Sequence, residues 1–218
     1  MVSGIGKKIR GGNVVLKLDM SKAYDRVSWL HIIGVLRKFG FGEQFIDMVW
    51  RLLSNVWFSV IVNGSSYGFF KSTRGLRQGD PLSSTLFIIG AEVLSRGLNN
   101  LALQPGFLGF RVPYGCPPVT HLAFADDVLI FANGSASFLK DIMQVLEGYQ
   151  RCSGQLINTK KSGYLTHSSL APARRRVIER VTGFVWQVFP IRYLGFPLYV
   201  GRCKLSYFGE VAQAILQR

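Results

Sequence analysis

The sequence is short of acidic residues, short of cysteine and without long apolar runs, and each shortage excludes something. Asp and Glu total 12 against 26 for Lys and Arg, a formal charge of +14. That balance favours a polyanionic partner over a neutral small molecule, with nucleic acid first and an anionic membrane surface as the competing reading. Cys116, Cys152 and Cys203 are odd in number and far apart. They offer no disulfide framework and no paired metal-ligand spacing, fit a reducing intracellular compartment, and are expected as small buried or half-exposed side chains. No apolar run approaches the roughly 20 residues that span a bilayer. Met1 to Gly12 carries Lys7, Lys8 and Arg10 with no apolar stretch behind them, so neither export nor a membrane span is expected, and the location is read as nuclear or cytoplasmic. Internal repeats and low-complexity linkers are lacking, and His31, His121 and His167 show no metal or triad spacing.

With 218 residues, 48% of them hydrophobic, the chain has enough apolar surface for one substantial core and is read as a single domain over residues 1–218. Asn13 to Asp19 reads as a β-strand that ends on a carboxylate. Helices are expected at about Trp29 to Phe39 and Glu43 to Ser54, broken by Gly40-Phe41-Gly42. Val56 to Val62 and Tyr67 to Lys71 flank Asn63-Gly64, a hairpin signal because both central residues accept φ > 0. Asp80-Pro81 opens a helix with Leu82, Leu86, Ile89 and Val93 on one face. Gln104 to Pro118 is expected as a long surface loop. Two apolar strands, Thr120 to Ala125 and Val128 to Ala132, place Asp126-Asp127 at a hairpin tip. Phe138, Ile142, Val145 and Tyr149 mark a helix ending at Gly154, a strand follows over Ser162 to Thr166, and Pro172 opens a basic helix containing Arg174, Arg175 and Arg176. The order implies an α+β layer with helices on one face of a mainly antiparallel sheet.

A strand end at Asp19 beside a hairpin tip at Asp126-Asp127 would bring three carboxylates to one sheet edge. Such a cluster is electrostatically costly without cations and would recruit hard ones, and two Mg²⁺ ions about 3.5–4 Å apart suit phosphoryl transfer. Each aspartate taken singly is an ordinary turn or cap residue. Their sequence company changes that weighting. Lys17-Leu18-Asp19-Met20-Ser21-Lys22-Ala23-Tyr24-Asp25-Arg26-Val27 resembles motif A of non-LTR (LINE-type) reverse transcriptases. Arg74-Gly75-Leu76-Arg77-Gln78-Gly79-Asp80-Pro81-Leu82-Ser83 resembles motif B, and Phe124-Ala125-Asp126-Asp127 resembles motif C, in the family's order. Gly154 to Ser162 looks like motif D, and Tyr193-Leu194-Gly195-Phe196-Pro197-Leu198 looks like the segment towards the primer grip. The resemblance runs from about Gly11 to near the end and is closest to plant elements.

The resemblance implies a polymerase palm, a ferredoxin-like α+β layer, acting as an RNA-directed DNA polymerase on an RNA template, a DNA primer and dNTPs. It implies that Asp19 and Asp126 ligate two Mg²⁺ ions, for which Mn²⁺ could substitute, that Asp127 supports them and that the Met20 backbone carbonyl completes one coordination sphere. Tyr24 takes the place of the sugar gate, whose ring clashes with a 2′-hydroxyl. Gln78, Gly79 and Ala125 are implied at the nucleotide, Arg74 and Arg77 at template phosphates, and Tyr193, Leu194 and Gly195 at nucleic acid. Lys161, or Lys160 beside it, matches the lysine that protonates the leaving pyrophosphate. Residue by residue the bland alternatives are a packed aromatic for Tyr24, a helix-opening turn for Gln78, and solvated surface for the arginines and Lys161.

Residues 1–12 are read as the remnant of a preceding fingers region, with the fingers truncated, a thumb absent, and the fingers, thumb and endonuclease regions of a parent polyprotein needed as partners. The alternative reading is a catalytically incompetent retroelement remnant that only binds nucleic acid. A palm-fold nucleotidyl cyclase or small metal-binding signalling domain would fit the carboxylates but leaves motif B and Tyr24 without a role.

Overall fold

The structure, a computed structural model, describes residues 2–7 and 9–216; Met1 and Lys8, within the expected 1–12 remnant, lie outside the described residues, as do Gln217 and Arg218. After a 3-10 turn at Val2–Gly6 come β1 (Asn13–Asp19), α1 (Ala23–Arg26), α2 (Trp29–Lys38), α3 (Glu43–Ser54), β2 (Trp57–Val62), β3 (Ser65–Lys71) and α4 (Pro81–Ala102). Then follow β4 (His121–Phe124), β5 (Asp127–Asn133), α5 (Ala136–Ser153), β6 (Gly163–Thr166), α6 (Pro172–Thr182), β7 (Val185–Gln187), β8 (Ile191–Tyr193), β9 (Phe196–Leu198) and α7 (Gly209–Leu216). Among the described residues no helix is long and apolar enough to cross a membrane. The chain divides into two compact units, one of Met1–Asp19, Gly97–Val145 and Ile157–Arg218, the other of Met20–Arg96 and Leu146–Leu156.

The first unit is built on a five-stranded sheet in the order β4-β5-β1-β6-β7. Every pairing is antiparallel except β6 with β7, whose parallel run requires a crossover that α6 supplies. Both faces of the central strand β1 contribute buried apolar residues, although the face of Val15 also carries Asn13, Lys17 and Asp19. Val14, Leu16 and Leu18 are fully buried on one face, where Tyr164 of β6 directs its hydroxyl to Glu179 Oε1 (3.0 Å) and the Arg175 carbonyl (3.3 Å) of α6. Val15 on the other face joins Leu129, Phe131, Leu165, Ile5 and Phe110 in a buried cluster. None of its named members lies in an α-helix; side chains from residues 112–119 and 189–200 pack against it. The loop expected at Gln104 to Pro118 is therefore part core. Phe110 is buried and Gly109 bridges to Ala132, because the Val15 face needs an apolar cover.

Two buried asparagines close the far end of β1 and β5, where Asn13 pairs with Asn133. Asn13 Nδ2 donates to the carbonyls of Gly4 (2.7 Å) and Arg111 (3.0 Å), and its Oδ1 accepts from Arg111 N (2.9 Å). Asn133 Nδ2 donates to the Arg10 carbonyl (2.9 Å) while its Oδ1 accepts from Ser135 N (2.9 Å). These side chains satisfy backbone groups that have left the sheet ladder, as buried polar groups must be satisfied.

In the second unit Ser28 caps α2, accepting from His31 N (3.4 Å), and Trp29, Ile32, Ile33, Val35 and Leu36 form its buried stripe. α2 lies close to α4 at Gly90, where a β-carbon would stand 2.7 Å from Ile32 Cδ1, and His31 Nε2 reaches the Gly90 carbonyl at 3.0 Å. Asn63 and Gly64, both at positive φ, form the two-residue turn between β2 and β3 that their sequence requires. Both strands of that hairpin are exposed along their whole length.

Two expectations are corrected. On α4 the buried apolar residues are Leu86, Phe87, Leu94, Leu98 and Leu101, of which Leu86 alone belongs to the expected face. On α5 the buried apolar residues are Leu139, Ile142, Leu146 and Tyr149, so Ile142 and Tyr149 are among those that marked the helix. The α4 stripe is rotated from the face expected, because the neighbours that fill it, not apolarity alone, choose among several apolar residues per turn. All three cysteines are exposed.

If the Asn13 side chain holds the far end of β1, Asn13→Ala should cost about 2–4 kcal/mol of unfolding free energy, since one buried and two part-buried hydrogen bonds are lost and their backbone partners stranded. Urea denaturation measures it; a loss below about 0.5 kcal/mol would contradict this role.

Candidate active site

The carboxylates belong to the first unit, and the register of β1 with β5 places them. Seven consecutive pairs run from Asn13↔Asn133 to Asp19↔Asp127, so Asp19 and Asp127 are directly opposed. Opposed residues of an antiparallel pair share a face, with β-carbons about 4.5–5.5 Å apart. The turn between β4 and β5 consists of Ala125 and Asp126, since Phe124 already pairs with Asp127. Asp126 thus sits at the tip and is exposed, while Asp127 opens the strand and is half-buried; the expectation that both lie at the tip is corrected by one residue. Ala125 has φ +51°, a conformation that glycine usually supplies and that costs a β-carbon about 1–2 kcal/mol. Strain of this kind tends to persist where the surroundings over-determine it, as at functional sites.

Burial pushes the Asp127 carboxyl above its ordinary range, the Lys17 ammonium pulls it down, and the charges of Asp126 and Asp19 push it up. Strand alternation puts Lys17 on the same face as Asp19, two residues along β1. Its Nζ donates to the Arg192 carbonyl (3.0 Å) and so ties β8 to β1. Tyr193, the next residue, has its phenol pushed up by burial and by the charge of Asp127. Leu194 and Gly195, both at positive φ, form the β8–β9 turn. Sequence reasoning assigned no role to Lys17, although a lysine inside an otherwise apolar strand, two positions from a carboxylate, was the available signal.

The turn carrying Lys160 and Lys161 is fastened to the end of β1. Asp19 N donates to Ser162 Oγ (3.1 Å), and Asn158 N donates to the Asp19 carbonyl (2.9 Å). Asn158 Oδ1 receives the N–H groups of Lys160 (3.2 Å) and Lys161 (3.3 Å), a local turn of the kind asparagine favours. Both lysines are exposed.

The remaining expected site residues lie in the second unit. Met20 is buried, and Tyr24 is half-buried with its ring stacked on Phe87 at 4.8 Å and 7°. The Arg74 to Gly79 loop is pinned to α1 and the start of α2: Leu76 N donates to the Tyr24 carbonyl (2.8 Å), Gly75 N to that of Val27 (2.8 Å), and Trp29 Nε1 to that of Gly75 (2.6 Å). Gly75 has φ +91°, and a β-carbon there would meet the Asp25 carbonyl oxygen at 2.7 Å, so no larger residue fits. Asp80 Oδ1 caps α4 through Leu82 N (2.9 Å), and its other oxygen pairs with Arg77 (2.7 Å). Arg77 therefore has a carboxylate partner, whereas Arg74, Gln78 and Gly79 are exposed. Asp25, Phe58, Arg74, Arg77 and Gln78 line a cavity of about 670 Å³.

Among the described residues no three His, Cys, Asp or Glu side chains stand close enough together to hold a metal ion. The three aspartates are within electrostatic reach but are not gathered into a closed ligand set. Their chemistry fits a divalent ion all the same: hard carboxylate oxygens, two of them opposed, with excess negative charge that raises the Asp127 carboxyl.

Residues 3–198 match the family described as reverse transcriptase (RNA-dependent DNA polymerase). The chain belongs to the reverse transcriptase family. It is 30% identical over 213 residues to an uncharacterised 149 kDa protein of transposon TX1 from Xenopus laevis, covering 93% of this chain and 15% of that protein. It is 36% identical over 118 residues to the Pol polyprotein of the type-2 retrotransposable element R2DM of Drosophila melanogaster, covering 54% and 10%. A mitochondrial protein of Arabidopsis thaliana, uncharacterised, is 53% identical over 68 residues, 31% of this chain and 55% of that one; this short match is what supports a closeness to plants. The fold resembles telomerase from Candida albicans in complex with a telomeric RNA fragment, with TM-score 0.58 at 14% identity over 86% of this chain and 29% of that one. The reverse transcriptase resemblance read from motifs A to D, the LINE-type affinity and the palm-type α+β fold therefore stand, and the family generally uses divalent metals.

The raised Asp127 carboxyl makes a prediction with a definite sign. Its ionised form is disfavoured in the fold, so it lowers stability at neutral pH, and the penalty vanishes as pH falls below the ordinary carboxylate range. Asp127→Asn should melt above the parent at pH 7 and level with it at pH 3. Thermal melts across that range check it, and a variant that melts lower at pH 7 would contradict the electrostatic reading.

Proposed function

We propose that this chain is the palm-bearing part of an RNA-directed DNA polymerase of a LINE-type retroelement, joining dNTPs to a primer 3′-hydroxyl on an RNA template. The observation that carries the proposal is the opposition of Asp19 and Asp127 across β1 and β5, with Asp126 next to them at the hairpin tip. Asp19 and Asp126 would hold a pair of Mg²⁺ ions, or Mn²⁺ in their place, with Asp127 and the Met20 carbonyl in support. When bound, such ions neutralise charge on the triphosphate and favour the deprotonated primer hydroxyl.

Protein groups do the rest. Tyr24, held by Phe87, supplies a flat wall against which a 2′-hydroxyl clashes, so a deoxyribose is selected. Gln78 and the bare backbone at Gly79 and Ala125 receive the nucleotide, and Arg74 and Arg77 the template phosphates, Arg77 by exchanging Asp80 for phosphate. Lys161, on the turn fastened to Asp19, gives a proton to the leaving pyrophosphate. Tyr193, Leu194 and Gly195 contact the primer strand, with the hairpin anchored by Lys17. The relatives of which the chain covers 15% and 10% are much longer polypeptides, which supports fingers, thumb and endonuclease regions as partners of the working enzyme.

Primer extension on poly(rA) primed with oligo(dT) tests the reading. The chain should extend the primer in Mg²⁺, and Asp126→Ala should reduce extension by about three orders of magnitude. Equal extension by that variant sinks the carboxylate assignment, while a chain that binds the hybrid but never extends it is the incompetent remnant. Tyr24→Val should raise ribonucleotide incorporation at least about tenfold, and unchanged sugar discrimination removes the gate role.

A further inference from the structure

Gln155 lies in the second unit, 3% exposed, and has no part in any contact with substrate assigned so far. Burying a primary amide is costly unless its groups are satisfied, and here only one of them is. Nε2 donates to the Ala23 carbonyl at 2.8 Å, whereas Oε1 is buried without a partner. The same contact fixes the orientation of the amide, since only its nitrogen can face a carbonyl. Methionine would fill a similar volume without an orphan acceptor, so the bond to Ala23 is what the amide contributes.

That bond goes to an element that cannot hold itself. α1 is a single turn of four residues, far below the roughly 12 at which a helix becomes marginally stable alone. Its N-cap, Lys22, makes no side-chain capping bond and has φ +48°, a conformation that a β-carbon resists. The carbonyls of this turn are therefore taken up from outside. Leu76 N donates to Tyr24 and Gly75 N to Val27, both at 2.8 Å, and Gln155 serves Ala23. The first two are backbone bonds; the third is the one that a substitution can remove. The donor is itself held, because Gln155 N donates to Ser153 Oγ (3.1 Å), whose hydroxyl donates to the Tyr149 carbonyl (2.6 Å) of α5. Gly154, at φ +75°, comes so close to α1 that a β-carbon there would stand 2.7 Å from the Arg26 carbonyl oxygen. Tyr24 directly follows Ala23. Stacking on Phe87 fixes the plane of its ring but lets parallel faces slide, so the backbone of α1 sets where in that plane the ring stands.

We propose that Gln155 is the positioning residue of Tyr24: its amide holds the α1 turn by the Ala23 carbonyl and so fixes the place of the Tyr24 ring. The consequence for sugar selection rests on the gate reading of Tyr24. The positioning itself is measured without nucleotide or metal, so the two can fail separately.

Gln155→Met in the whole chain removes the donor and the orphan acceptor together. It strands the Ala23 carbonyl where the parent strands Oε1, so it should fold and melt within about 5 °C of the parent. Amide exchange of Asp25 and Arg26, whose N–H groups donate to the Lys22 carbonyl (3.0 and 3.2 Å), should speed at least about fivefold. With 3-fluorotyrosine in place of tyrosine and lines assigned by Tyr→Phe variants, the Tyr24 fluorine resonance should shift while that of Tyr67, in the same unit, stays. Val49→Ala opens a cavity in the buried face of α3 and should lower the melting temperature while leaving the Tyr24 resonance in place. Unchanged exchange of both amides, an unmoved Tyr24 resonance in Gln155→Met, or an equal shift in Val49→Ala overturns the proposal. In primer extension on poly(rA), Gln155→Met should raise the use of UTP relative to dTTP at least about threefold and add nothing in a Tyr24→Val background. If Tyr24→Val changes that ratio and Gln155→Met does not, the proposal fails. If Tyr24→Val itself leaves it unchanged, the gate reading falls, and the exchange and fluorine results alone decide the role of Gln155.

Discussion

The pairing of β1 with β5 is the constraint on which the first unit depends. A strand register is a discrete choice, because a slip of one residue moves every side chain to the opposite face. Here seven pairs are fixed at both ends, by buried Asn13 and Asn133 at one and by Asp19 and Asp127 at the other. Between them Leu16, Leu18 and Ile130 bury one face and Val15, Leu129 and Phe131 the other. The same register that fills the core brings two like charges together at the strand ends. The core therefore stabilises an arrangement that electrostatics alone would oppose; burial raises the Asp127 carboxyl first, with the charges of Asp126 and Asp19 adding to it.

The groups around this pair follow from the same strand. Lys17, on the face of Asp19, offsets part of the repulsion and anchors β8 through the Arg192 carbonyl. Asp19 itself anchors the Lys160-Lys161 turn through both of its backbone groups. Pieces of chain far apart in sequence thus meet one strand end, the Lys160-Lys161 turn through both backbone groups of Asp19 and β8 through the Lys17 side chain. The second unit has its own logic. There Gly75 lets the Arg74 to Gly79 loop approach the Asp25 backbone closer than any β-carbon allows, and Gly90 leaves room for the Ile32 side chain of α2 against α4.

Much of this was legible in the sequence, for reasons that can be named. β1 was readable because an apolar run between Gly-Gly and a polar turn has one interpretation, and β2–β3 because Asn63-Gly64 dictates a two-residue turn. Asp80-Pro81 announced α4 through cap chemistry. The buried face of α4 was not readable, since apolar residues occur on more than one side and only the packing partners choose among them. The Ala125-Asp126 turn was misplaced by one residue because Ala125, unlike glycine, gives no sign that it will adopt positive φ. Lys17 was overlooked because its effect depends on which strand lies beside it.

The central proposal is that Asp19, Asp126 and Asp127, which the β1–β5 register and the adjoining turn bring to one strand end, bind a divalent cation. Counting Mn²⁺ bound to the chain by electron paramagnetic resonance tests this most directly, with no polymerase assay involved. The account predicts saturable binding by the parent chain, lost when Asp19 and Asp127 are both changed to Asn while Asn13 and the fold are retained. Equal Mn²⁺ binding by the parent and that double variant would contradict it.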